Sequence, residues 1–145
     1  MFSMFPITHI ILSFILGAFL YEFYGLSVIY IIIGGFTFDI DHLFVYWKET
    51  KKYTLNLLKA YDYFASHKLN IQNRNVLFIF HTAEFLVLLF LLGFFNKIFF
   101  LISLGLLFHL VLDAIQEMRI FGRLIKHPSF IVWLFKKNIF TKKVF

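Results

Sequence analysis

The sequence contains no cysteine and carries little charge. Only 15% of its 145 residues are Asp, Glu, Lys or Arg, whereas soluble domains have about 25%. The lack of cysteine excludes disulfides, thiolate nucleophiles and cysteine-ligated zinc, so any metal must be held by His, Asp and Glu. Because 61% of the residues are hydrophobic, a soluble globule of this size would lack the polar surface to cover its core. The composition therefore predicts a membrane protein.

The few charges are unequal in sign, with 14 Lys and Arg against 8 Asp and Glu and a net charge of +6. In a chain this apolar, the excess indicates basic loops that face anionic lipid head groups, and we expect no nucleic-acid partner. The first apolar run has no preceding Lys or Arg and no small-residue cleavage site after it. It is therefore expected to stay as a membrane anchor and not to be removed as a signal peptide.

Four apolar segments approach the length of about 20 residues that a membrane-spanning helix needs. They cover residues 7–24, 26–47, 76–95 and 98–115. Short hairpins at Gly25 and at Asn96 join them in pairs, while a polar loop over 48–75 separates the pairs and a basic tail covers 116–145. The prediction is a single membrane domain over residues 1–145, an all-α integral membrane four-helix bundle.

The basic residues predict the orientation of this bundle. Thirteen of the 14 Lys and Arg residues lie in the polar loop or the tail, and Lys97 alone lies in a short hairpin at the opposite end. Loops rich in Lys and Arg stay on the cytoplasmic side. We therefore expect a multi-pass protein of the cell (inner) membrane, with both termini cytoplasmic.

Amphipathic segments are predicted in the loop and in the tail. Apolar residues recur in the loop at three- to four-residue spacing, which favours a helix lying on the membrane surface. A loop helix that covers the end of the bundle explains the same pattern equally well. The run Phe130–Phe135, followed by two lysines, is expected to enter the same interface.

Eight ionisable or imidazole side chains stand within or near the predicted spans. An Asp at the centre of a spanning helix costs about 2.5–3.5 kcal/mol on insertion scales, so such residues need partners and indicate function. The predicted topology places all eight roughly 5–12 Å below the cytoplasmic boundary. They are His9 in the first span, Asp39, Asp41 and His42 in the second, His81 and Glu84 in the third, and His109 and Asp113 in the fourth.

Spacing places several of these residues on common helix faces, because side chains three or four positions apart are neighbours. Four imidazoles and four carboxylates exceed the ligands of one tetrahedral zinc, and suit two metals or one metal with a developed outer shell. Asp41 and Glu84 are expected to be ligands or the base that activates water. Taken singly, the residues could also be interfacial, could end a helix or could form a proton relay. The pairs are Asp39 and His42, His81 and Glu84, and His109 and Asp113.

The order of these residues resembles the YdjM-like family of small bacterial and archaeal membrane proteins, which are described as membrane-bound metal-dependent hydrolases. The resemblance covers nearly the whole chain and implies a metal-dependent hydrolase. The pattern is also distantly similar to zinc-dependent phospholipase C, which implies a phosphoester substrate. The matching residues are His9, Asp39-Ile-Asp41-His42, His81-Thr82, His109-Leu-Val-Leu-Asp113 and the stretch from Phe121-Gly122-Arg123 to His127-Pro128.

The leading hypothesis is therefore a membrane-bound hydrolase with one or two divalent metal ions, zinc first. It would act on a lipid-linked ester or phosphoester at the cytoplasmic membrane interface, with membrane lipids and a lipid-like substrate as its partners. Two alternatives use the same residues. One is a metal- or proton-coupled transport protein, and the other is a structural membrane protein that a metal stabilises without catalysis.

Overall fold

The computed structural model describes residues 6–66, 77–122 and 129–141. Within these ranges the regular elements are helices, and no strand is present, which confirms the all-α prediction. Parts of the polar loop (67–76), of the basic stretch after the last span (123–128) and of the tail (142–145) lie outside the described residues. The helices are α1 (Pro6–Tyr24), α2 (Val28–Phe36), α3 (Ile40–Thr50), α4 (Leu57–Ser66), α5 (Ala83–Leu92), α6 (Lys97–Phe121) and α7 (Phe130–Thr141).

Helices α1 and α2 form an antiparallel hairpin that reverses at Gly25. This glycine has φ +55°, a left-handed conformation that glycine adopts without the penalty of a side chain. On the two arms, Gly17 lies against the side chain of Ile32 and Ser13 lies against Gly35. The first predicted hairpin is therefore observed, and it returns the end of α2 to the level where α1 begins.

Helices α2 and α6 run alongside each other with their backbones in contact. A Cβ atom on Gly34 would overlap the carbonyl oxygen of Ile102, and one on Gly105 would overlap the carbonyl oxygen of Ile31. Because main-chain atoms occupy the space, only glycine fits at Gly34 and Gly105. Close approach of this kind is the usual way in which helices associate in lipid.

Two helical stretches, Ile7–Thr50 and Lys97–Arg119, are long and apolar enough to cross a membrane. The first contains the reversal at Gly25 and a 3₁₀ turn at Thr37–Asp39. The predicted third span, residues 76–95, contains the shorter apolar helix α5, which at 1.5 Å per residue is about 15 Å long. It is short because Ile79–His81 forms a 3₁₀ turn and the extended Thr82 begins a new helix by accepting a hydrogen bond from Phe85 N. The four-span arrangement stays a prediction.

The polar loop folds back onto α3. Helix α4 lies in the segment that was predicted to be helical, and its fully buried Ala60 packs with Leu43 and Phe78. The Trp47 indole Nε1 donates a hydrogen bond to the carbonyl of Thr54 at 2.6 Å, which fixes the connection between the two helices. This packing is the one expected of a loop helix that covers the end of the other helices.

Candidate metal centre

The structure brings seven of the eight predicted residues together at the open end of the α1–α2 hairpin. The hairpins explain this placement, because α1 begins, α2 ends, α5 begins and the second half of α6 passes at the same level. His9 lies in α1, Asp39 in the 3₁₀ turn after α2, Asp41 and His42 in the first turn of α3, His81 in the 3₁₀ turn before α5, and His109 and Asp113 in α6.

His81 is held through one of its two ring nitrogens. Its Nδ1 lies 2.9 Å from Asp41 Oδ2, and because a carboxylate only accepts, the imidazole donates its Nδ1–H. The opposite nitrogen, Nε2, lies 3.7 Å from Asp39 Oδ1 and 3.4 Å from Asp113 Oδ2. When the ring is neutral, this hydrogen bond selects the tautomer whose Nε2 lone pair faces these two carboxylates.

His109, which is fully buried, is oriented in the same way. Its Nδ1 lies 2.9 Å from the carbonyl oxygen of Gly35, which again can only accept. Its Nε2 lies 3.1 Å from His81 Nε2, 3.6 Å from Asp39 Oδ1 and 3.7 Å from Asp113 Oδ2. Both imidazoles thus point their Nε2 atoms at the same place.

In the neutral form of both rings, this arrangement gathers acceptor atoms with no positive charge between them. With both Nδ1–H groups donated, neither Nε2 then carries a hydrogen, and the facing carboxylate oxygens are acceptors as well. Such a cluster is stabilised either by a bound cation or by protons that convert histidine to imidazolium. Each carboxylate oxygen forms a triangle with the two nitrogens, with sides of 3.1–3.7 Å.

The spacing suits a small divalent ion. Zinc–nitrogen bonds of about 2.0–2.1 Å separate neighbouring tetrahedral ligands by about 3.3 Å, which lies within the observed range of distances. In metal sites a ligating histidine also donates its other N–H to a carboxylate or a backbone carbonyl. Asp41 and Gly35 do this for His81 and His109 respectively. The donor atoms and their supports therefore both fit zinc.

His9 and His42 lie beside this centre, each against a different carboxylate. His9 Nε2 lies 3.3 Å from Asp113 Oδ1, and its buried Nδ1 has no hydrogen-bond partner among the described residues. The ring of His42 stacks on Phe78, and its Nδ1 lies 3.0 Å from Asp41 Oδ1. Three overlapping groups have ligand atoms close enough to share an ion: His9, Asp39 and His109; Asp39, His42 and His81; and His81, His109 and Asp113.

Glu84 lies outside these groups. Its carboxylate accepts hydrogen bonds from Ser129 Oγ at 2.5 Å, from Phe130 N at 3.0 Å and from Ile131 N at 3.3 Å. The expected common face with His81 fails because the rule of three-residue spacing assumes a continuous helix, whereas Thr82 separates the turn of His81 from α5. In this structure Glu84 joins α5 to α7.

Two contacts were not predicted, one within the centre and one beside it. The carbonyl of Gly35 has no signature of its own in a sequence. The contact of Ser129 was not predicted either. The signal that the sequence offers for it is its position just before a helix, where serine is a favoured N-cap residue.

Known proteins do not guide the assignment further. Comparisons of the chain with protein-family models, with curated proteins and with solved structures find no match. The resemblance to the YdjM-like family thus stays a prediction.

Proposed function

We propose that this protein is a membrane-bound, metal-dependent hydrolase that acts on a lipid-linked ester or phosphoester. A divalent ion, zinc first, would be held among His81, His109, Asp39 and Asp113, with His9 and His42 as further ligands. The observation that carries this proposal is the orientation of the two central imidazoles. Each is fixed through Nδ1 to an acceptor and turns its Nε2 atom toward the other and toward carboxylate oxygens.

The side chains around the ion would have separate tasks. A divalent ion there supplies Lewis-acid activation of water for hydrolysis. Asp41 would hold His81 in its ligating tautomer and so act as a positioning residue, whereas the sequence left open whether it is a ligand or the base. Asp39 and Asp113 each have two carboxylate oxygens, and a carboxylate beside a reacting water is suited to accept its proton. The predicted role of Glu84 in this chemistry has no support, since its carboxylate is engaged with α7.

The position of the centre supports a lipid substrate. The cluster lies at the open end of the α1–α2 hairpin, where α1 begins and α2 ends, and beside the apolar stretch Lys97–Arg119; 13 of the 14 basic residues are expected on that side. A lipid could keep its acyl chains in the bilayer while its ester or phosphoester reaches the cluster. Lys and Arg side chains are suited to hold a phosphate there. The proposed location is therefore the cytoplasmic face of the cell membrane, and the resemblance to the YdjM-like family agrees with it.

Metal content and turnover test the proposal together. Elemental analysis of the purified full-length protein should find one or two zinc ions per chain. His109→Ala and Asp39→Ala should each lose metal, and should lose hydrolysis of ester and phosphoester lipids in mixed micelles. Glu22→Gln, which removes an exposed acidic charge from α1, is the matched control and should keep both. The proposal is overturned if the purified wild type contains no metal and its thermal stability does not change when zinc or chelator is added.

A second function is favoured by the same contacts in the absence of an ion. The carboxylates of Asp39, Asp41 and Asp113 already lie within 2.9–3.7 Å of imidazole nitrogens. Protonated histidines would then neutralise them, as in the proton relays of transport proteins. Proton movement in proteoliposomes that depends on Asp113, from protein shown to contain no metal, would favour this function over hydrolysis.

A further inference from the structure

Hydrogen bonds to Glu84 tether α7 to α5. Its two carboxylate oxygens accept from the hydroxyl of Ser129 and from the backbone N–H groups of Phe130 and Ile131. Ser129 Oγ in turn accepts from Val132 N at 3.2 Å. The first N–H groups of a helix have no partner within the helix, and a negative charge at this end is favoured by the helix dipole. Glu84 therefore fixes the N-terminus of α7 to the first turn of α5.

The body of α7 is apolar but not covered. Because successive residues of a helix point about 100° apart, side chains exposed at nearly every position surround the helix and do not line one face. An apolar surface of this kind marks a contact with a membrane or with another protein. The exposed side chains are Phe130, Ile131, Val132, Leu134 and Phe135, each 42–66% exposed.

Charge identifies which partner fits. In the sequence, Lys136 and Lys137 follow the apolar run directly. The apolar part, at 1.5 Å per residue, is about 9 Å long, far less than the roughly 30 Å of the hydrocarbon core, so it can enter one leaflet but cannot span the bilayer. Lysines that flank such an apolar segment are attracted by anionic phospholipid head groups.

We propose that α7 is a membrane-binding helix that inserts its apolar half into the cytoplasmic leaflet, binds anionic phospholipid through its lysines, and is held in place by Glu84. This inference rests on the membrane location in the proposed function, but not on the metal. Glu84 is thereby a positioning residue for α7. Its carboxylate connects the helix that follows His81 with the proposed lipid-facing helix.

Single-cysteine labelling tests the insertion, because the natural chain contains no cysteine. A bimane label on Phe135→Cys reports on α7, and the same label on Lys52→Cys, in the exposed polar loop, is the control. The full-length proteins are reconstituted in phosphatidylcholine vesicles with and without phosphatidylglycerol. The label at 135 should be quenched by brominated lipid and shielded from iodide, more strongly with phosphatidylglycerol. The label at 52 should be quenched by iodide and should not be quenched by brominated lipid.

The tether is tested in the labelled background. Glu84→Gln, which removes the charge and one acceptor, should reduce bromine quenching at position 135 and increase quenching by iodide, and Ser129→Ala should do so more weakly. Glu22→Gln is the control and should change neither. Unchanged quenching in Glu84→Gln would overturn the tether. A label at 135 that is open to iodide, or shielded from both quenchers by protein, would overturn membrane insertion.

Zinc content and thermal stability measured in the same samples separate this proposal from the hydrolase. Loss of quenching in Glu84→Gln at unchanged zinc content supports the tether. If zinc is present and the label at 135 is open to iodide, the membrane-binding helix fails while the metal centre stands. If zinc is absent and the label at 135 responds as expected, the metal centre fails while the membrane-binding helix stands.

Discussion

Because of the contact between α2 and α6, we expect that replacing Gly105 by alanine destabilises the protein, although this replacement usually stabilises a helix. In a free helix, replacing Gly by Ala stabilises by about 1 kcal/mol, because alanine has the higher helix propensity. At Gly105 the new methyl group would overlap the carbonyl oxygen of Ile31, and would lie 2.8 Å from Gly35 N and 2.9 Å from Gly34 C. Backbone atoms cannot rotate aside as a side chain can, so the two helices must separate.

The size of the effect follows from that separation. Non-bonded carbon atoms pack at about 3.5–4.0 Å, so α2 and α6 would move apart by roughly 1 Å. Overpacking of this kind costs about 1–3 kcal/mol. The bond from His109 Nδ1 to Gly35 O, now 2.9 Å, would lengthen beyond hydrogen-bond range and lose about 1 kcal/mol. After the gain in helix propensity, Gly105→Ala should be less stable by about 1–3 kcal/mol.

Thermal unfolding in detergent and zinc affinity by chelator competition measure this prediction. Gly17→Ala is the matched control, because its methyl group would meet the side chain of Ile32, at 2.7 Å from Cδ1 and 2.8 Å from Cγ1, and side-chain atoms can shift further than a backbone carbonyl. We expect a clearly lower melting temperature and weaker zinc binding for Gly105→Ala, and little change for Gly17→Ala. A Gly105→Ala protein as stable as the wild type, with unchanged zinc affinity, would refute the close contact and its link to His109.

Three further substitutions test other parts of the structure. Asp41→Asn should weaken zinc affinity by about 10–100-fold, because it removes the charge that orients His81, while the number of ions per chain stays the same; an unchanged affinity in chelator competition would contradict this role. Ser13→Ala should leave stability unchanged or raise it slightly, because the buried Ser13 hydroxyl has no hydrogen-bond partner among the described residues and an unsatisfied buried group is costly. Ser103→Ala should lower stability by about 1 kcal/mol, since the equally buried Ser103 hydroxyl donates to Phe100 O at 2.7 Å; equal melting temperatures for the two variants would contradict the difference.

The meeting of the His and Asp residues was predictable because the bilayer leaves few alternatives. Polar side chains within apolar spans need partners, and the two hairpins return the chain to the same level. Depth in the predicted spans was therefore enough to group His9 with Asp113 and His81 with His109. Spacing within a segment was less informative, because it depends on where each helix begins. Glu84 shows this, since the helix starts after Thr82 and turns its carboxylate toward α7.

The supports of the two central imidazoles show what the sequence could not supply. Asp41 was predicted to belong to the site. Its role depends on which ring nitrogen of His81 it contacts, and the sequence does not give the orientation of that ring. Every residue type has a main-chain carbonyl, so the role of the Gly35 carbonyl has no signal in the sequence. What gives it a role is the absence of a side chain at Gly105, which lets α6 approach α2 closely enough for His109 to reach that carbonyl.

This dependence connects the packing of the helices with the chemistry of the centre. A histidine held by a carboxylate can keep its orientation while the helices shift, because the carboxylate side chain can follow it. A histidine held by a main-chain carbonyl has no such freedom, so His109 keeps its direction only while α2 and α6 remain in contact. Helix separation should therefore disturb His109 before it disturbs His81. In Gly105→Ala we accordingly expect zinc binding to weaken even at temperatures where the protein is still folded.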